Sequence, residues 1–136
     1  MTIDNFIKGQ LAAFAWREAH HHGGLDNMRA VAFVIRNRVQ AGWNGGDWMA
    51  VLNHHGTIAA HINEAPYPDL RNPYFRLLLQ AIDDIYHNNA NDELTLGAFF
   101  YAELGKIDSQ WFIQNIVRDS EHHGRIAVVG PVTFFS

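Results

Sequence analysis

Ala30-Val31-Ala32-Phe33-Val34-Ile35 is an uninterrupted apolar run, and how it folds decides the architecture. Such a run suits either a buried strand or the middle of a helix. Its alanines, the length of the surrounding segment and the Gly42 stop favour a helix from Asn27 to about Gln40, capped by Asp26. A helix that is apolar on almost every side belongs at the centre of a fold. Its polar end, Arg36-Asn37-Arg38, is expected to emerge from that core, with Val39 continuing the stripe of Ile35.

Upstream, a first helix is expected from about Asp4 to Ala19, with Thr2 or Asp4 as cap, ended by His20-His21-His22 and Gly23-Gly24. Phe14, Leu11 and Ile7 share one narrow stripe of this helix with Glu18. A carboxylate on an apolar stripe faces either the core or a cleft, where burial raises its pKa as an acid working near neutral pH requires. The alternative is a helix-end glutamate that pairs with an arginine or reaches water.

Downstream, Gly42 to Asp47 reads as a turn-rich loop and Trp48 to Leu52 as a short helical turn. His54 to Arg71 lacks periodicity and reads as a long loop. Asn72-Pro73 opens a structural helix carrying Phe75, Leu78, Leu79, Ile82, Ile85 and Tyr86 at helical spacing. Leu94 to Tyr101 reads as a strand or extended run. Ser109 or Asp108 caps a last helix with Trp111, Phe112, Ile113, Ile116 and Val117 inside. Arg125 to Val129 and Val132 to Phe135 flank Gly130-Pro131, a hairpin signal. The chain therefore reads as one domain over residues 1–136, α+β and mainly helical, with a small antiparallel β element near the C-terminus.

Composition narrows the chemistry. With no cysteine, a thiolate metal site and a cysteine nucleophile are excluded. A net charge of −4 and the lack of a basic run make nucleic acid an unsuitable partner. No stretch is apolar enough to span a membrane. Met1 to Gln10 has neither the basic nor the apolar region of a signal peptide, so synthesis in the cytoplasm is expected.

Nine histidines invite a metal reading, but the zinc-protease spacing with its intervening glutamate is missing. No metal and no cofactor are expected. Ser109, Ser120 and Ser136 sit in no Gly-x-Ser-x-Gly elbow, and Gly42 to Gly46 has no phosphate-loop lysine. Carboxylates and aromatics remain. Cleavage of a glycosidic bond needs a carboxylic acid beside the leaving oxygen. Glu18 meets that need by position, with Trp43, Trp48, Tyr67, Tyr74, Phe100 and Tyr101 as either stacking surfaces or core packing.

Three stretches resemble one family. Trp16-Arg17-Glu18-Ala19, followed by a polar turn and the segment Asn27 to Val39 that ends in Asn37-Arg38-Val39, resembles the opening of the spore-cortex-lytic, cell-wall hydrolase domain. Gly97-Ala98-Phe99-Phe100-Tyr101 with Asp108-Ser109-Gln110-Trp111 resembles its central strand and tryptophan-bearing segment. Ala127 to Phe134 resembles its closing hairpin. The resemblance covers nearly the whole chain. It implies a lysozyme-like fold and cleavage of the β-1,4 bond between N-acetylmuramic acid and N-acetylglucosamine in peptidoglycan, as a lytic transglycosylase or muramidase. Glu18 falls on the family's catalytic glutamate, and Tyr101, Phe100 and Asn37 are the candidate substrate contacts.

The expected partner is the peptidoglycan glycan strand, met by a monomer, in the manner of a phage enzyme released at lysis. Two positions depart from the family pattern. Arg17 replaces a small glycine, and His22 stands where a second glutamate is frequent, leaving Asp26, Glu64, Glu103 and Glu121 as other carboxylates. A non-catalytic wall-binding domain of the same fold is the alternative.

Overall fold

The computed structural model describes residues 3–22, 24–54, 70–87 and 90–136. Helix α1 (Ile3–Ala19) runs into a 3-10 turn, His20–His22. Helix α2 (Leu25–Gln40), the short α3 (Trp48–Asn53) and α4 (Pro73–Tyr86) complete the helical layer. Strand β1 (Phe100–Ala102) is followed by α5 (Gln110–Phe112), which a π turn over Ile113–Val117 extends, and by the hairpin β2 (Arg125–Val129) and β3 (Val132–Phe135). The three strands form an antiparallel sheet in the order β1-β3-β2, with Tyr101 opposite Phe134. The chain is thus α+β and mainly helical, and no helix among the described residues is long and apolar enough to cross a membrane.

The all-round apolarity of α2 follows from its position between two layers. Val31, Phe33 and Ile35 join Leu11, Phe14, Leu52, Leu78, Ile82 and Ile85 in a core among the helices. Ala30 and Val34 face the sheet instead, with Ala98, Val132 and Phe134. No side of α2 is left for water over that stretch. The Asn72 side chain accepts the Tyr74 N–H at 2.9 Å and Pro73 occupies the first position of α4, as the sequence predicts. The hairpin turn docks on α2: Asn27 Nδ2 donates to the Val129 carbonyl at 2.8 Å. Gly130 there has φ +55°, and a β-carbon would lie 3.0 Å from Asn27 Oδ1, so glycine is required on both counts.

Several expectations are corrected. Helix α2 begins at Leu25, so Asp26 lies inside its first turn, bonded to Arg29 at 3.1 Å, and does not cap it. The polar end of α2 does not emerge: Arg36 and Asn37 are only 6% and 8% exposed. Their partners are the segment that precedes β1, which is turns over 93–97 and strand only from Phe100. Trp111, expected inside the last helix, is 63% exposed, while Ile116 is buried. The long loop expected over His54 to Arg71 falls, from 55 to 69, outside the described residues, and Tyr67, His55, His61 and Glu64 with it.

Candidate active site

Glu18 closes the stripe predicted for α1, one turn beyond the buried Phe14. It lines a cavity of about 240 Å³ together with Phe14, Ile35, Arg38, Val51, Tyr101 and Phe112. These residues come from five elements, so the cavity marks the junction of α1, α2, α3, β1 and α5. Four apolar walls surround one carboxylate, one phenol and one guanidinium. Such convergence of a few polar groups in one recess is a feature of small-ligand sites.

The Tyr101 hydroxyl donates to Glu18 Oε1 at 2.5 Å. Burial, the Glu18 carboxylate and the bond to it push the Tyr101 phenol well above its ordinary range, with Arg38 pulling the other way. Tyr101 therefore stays protonated and remains a donor at every working pH. Arg38 is held from behind, since its Nε donates to the Phe99 carbonyl at 2.8 Å. Its guanidinium lies 5.0 Å from the Trp43 ring centroid and 5.6 Å from that of Phe100. Burial lowers the Arg38 pKa and the neighbouring Tyr101 and Glu18 oppose that, yet a guanidinium keeps its charge. The cation facing Glu18 across the cavity is thus Arg38. Arg17 is buried and is not among the residues that line the cavity.

Of the expected substrate contacts, the structure brings only Tyr101 to Glu18. Phe100 packs between Trp43, Phe112 and His123 and does not line the cavity. Asn37 lies in an internal tie: its Nδ2 donates to Asp92 Oδ2 and to the Ala98 carbonyl, both at 3.0 Å. Trp48 is packed on Tyr86, Trp43 carries Arg38, and the exposed Tyr74 lines a separate recess with Trp16 and Met28. Arg38 is the site residue that sequence reasoning missed. The available signal was its place three residues after Ile35, on a helix whose neighbouring positions are buried.

The histidines are dispersed in local pairings. His20 Nδ1 meets the Trp16 carbonyl, His122 meets Asp119, and His123 meets the Ser136 carbonyl. Among the described residues no group of three or more His, Asp or Glu converges in a way that would hold a metal ion. Of the other carboxylates, Asp26 is taken by Arg29, Glu121 is exposed, and Glu103 faces His22 at 3.3 Å. No protein-family model, curated protein or solved structure gives a significant match to the chain.

Proposed function

We propose that the chain is a peptidoglycan-cleaving glycosidase with a lysozyme-like fold, acting as a lytic transglycosylase with Glu18 as general acid and then general base. The observation that carries this reading is the placement of Glu18 at the wall of an open recess, bonded by Tyr101 and faced by Arg38. The family resemblance supplies the substrate.

In this reading the Glu18 carboxyl donates its proton to the oxygen linking N-acetylmuramic acid to N-acetylglucosamine. The bond from that oxygen to C1 breaks through an oxocarbenium-like state. The C6 hydroxyl of the muramic acid then attacks C1, and Glu18 takes its proton, leaving a 1,6-anhydro end. One carboxylate suffices because the nucleophile belongs to the substrate. Tyr101 fixes which way the carboxyl faces by donating to Oε1, and the Arg38 charge balances the carboxylate that forms when the proton leaves. The apolar walls Phe14, Ile35, Val51 and Phe112 limit water around the reacting centre.

The test is mass analysis of muropeptides released from purified cell walls. Anhydro-ended products that vanish with Glu18→Gln support the proposal. Walls left intact at every pH, with the protein sedimenting on them, would instead assign a non-catalytic wall-binding domain.

A further inference from the structure

The contacts between the end of α1 and strand β1 form a ladder with two rungs. Glu18 lies in the last turn of α1, and His22 ends the 3-10 turn that follows it. Tyr101 lies in β1, and Glu103 directly follows that strand at the start of a turn. The first rung is Tyr101 to Glu18 at 2.5 Å. The second is His22 Nε2 to Glu103 Oε2 at 3.3 Å, with the His22 and Glu103 side chains only 13% and 23% exposed.

Strand β1 needs such a fixture. It has three residues, pairs among the described residues with β3 alone, and brings the Tyr101 phenol to α1. Rotation or sliding of so short a strand would carry the phenol off the carboxylate. Rung two stands at the end of the strand and opposes that movement. It is reinforced locally, because Lys106 Nζ lies 3.6 Å from Glu103 Oε1 and the His21 ring packs 4.0 Å from the His22 ring. His22 Nδ1 is buried with no hydrogen-bond partner among the described residues, while Nε2 faces Glu103.

We infer that His22 and Glu103 are positioning residues that hold β1 so that Tyr101 stays bonded to Glu18. The histidine thus has a role of its own at the position where the sequence departs from the resembled pattern, and Glu103 is its partner and not a second acid in the cavity. The inference rests on Glu18 and Tyr101 forming a working site, but its main test needs no substrate.

The measurement is the 13Cζ resonance of labelled tyrosine at neutral pH, assigned with Tyr101→Phe and calibrated with Glu18→Gln, which replaces the carboxyl acceptor of the phenol. Glu103→Ala and His22→Gln should each move the Tyr101 resonance toward its Glu18→Gln position. Glu103→Gln keeps the size and the polar end of the side chain that faces His22 and should restore most of the wild-type position. If Glu103→Ala does not fold, His22→Gln and the Glu103→Gln comparison decide. A Tyr101 resonance unmoved in folded His22→Gln overturns the inference. Where glycan strands are cleaved, the same variants should lower kcat by about tenfold with KM unchanged, the pattern of a misplaced catalytic group. Failure to cleave any wall would sink the proposed activity and leave the resonance test standing.

Discussion

The C-terminal ends of α1 and α2 both send polar side chains into the interior, and the two clusters they build are opposites. At the end of α2, Arg36 donates to the Ala90 carbonyl at 2.7 Å and Asn37 to Asp92 and Ala98. Asp92 in turn accepts the Thr95 and Gly97 N–H groups at 2.8 and 3.0 Å, and the Thr95 hydroxyl. The bonds in that cluster close on the chain itself, which is how buried polar groups offset their desolvation penalty, and among the described residues Arg36 Nε alone in it finds no partner. At the end of α1, Glu18, Tyr101 and Arg38 surround an open volume of about 240 Å³. Closed polar clusters stabilise and open ones are available for chemistry. The distinction separates Asn37 from Glu18, although the sequence recommends both.

The largest expected effect breaks the open cluster. Glu18→Gln should reduce muropeptide release by about a thousandfold, within the range a general acid contributes, while far-UV circular dichroism stays unchanged. The closed cluster should fail the other way. Asn37→Leu leaves the Ala98 carbonyl without its side-chain donor and takes one donor from Asp92, at a cost of about 2 to 3 kcal/mol. In a chain of this size that lowers Tm by roughly 10 °C. Calorimetry checks the second, and a variant that lost cleavage with an unchanged Tm would return Asn37 to the site.

Tyr101→Phe probes the boundary between the two kinds of cluster. It removes one hydrogen bond and little volume, so stability should change by about 1 kcal/mol or less. Cleavage should fall about tenfold or more as the carboxyl loses its fixed direction. A large loss of stability with kcat intact would make the Tyr101–Glu18 bond a closed, structural one.

How far the sequence carries this distinction depends on the length scale involved. Elements whose signal is local are legible: the Asn72-Pro73 start of α4, the Gly130-Pro131 hairpin and the Glu18 stripe all stand where the pattern puts them. Asn37 and Arg38 are not legible in the same way. A polar triplet after an apolar run reads as a helix reaching water, and what buries it is the segment 90–99, more than fifty residues away in sequence. Trp111 fails for a related reason, because the helix that begins at Gln110 turns into a π turn at Ile113 and no longer presents the faces a regular helix would. Periodicity gives the direction of a side chain along its own element, whereas a cavity depends on how the elements meet.

The smallest expected effect concerns acid stability. Burial acts to raise the Asp92 pKa, but the hydrogen bonds from Asn37, Thr95 and Gly97 outweigh it and hold the carboxyl below its ordinary value. A carboxyl depressed in the folded chain contributes stability that is fully present above the unfolded value of about 4 and is lost as pH falls through the folded value. Asp83 and Asp119 are also held low, by Lys8 and by His122, but both carboxyls face solvent. Their contribution is screened by added salt, and that of the half-buried Asp92 less so. The Tm of the wild-type chain should therefore fall below about pH 4, with a part of the fall surviving in high salt. Asp92→Asn should remove that surviving part, a difference of a few degrees, without altering cleavage per folded molecule. If the acid limb disappears entirely in salt, the closed cluster is wetter than its hydrogen bonds imply, and the contrast with the open one narrows.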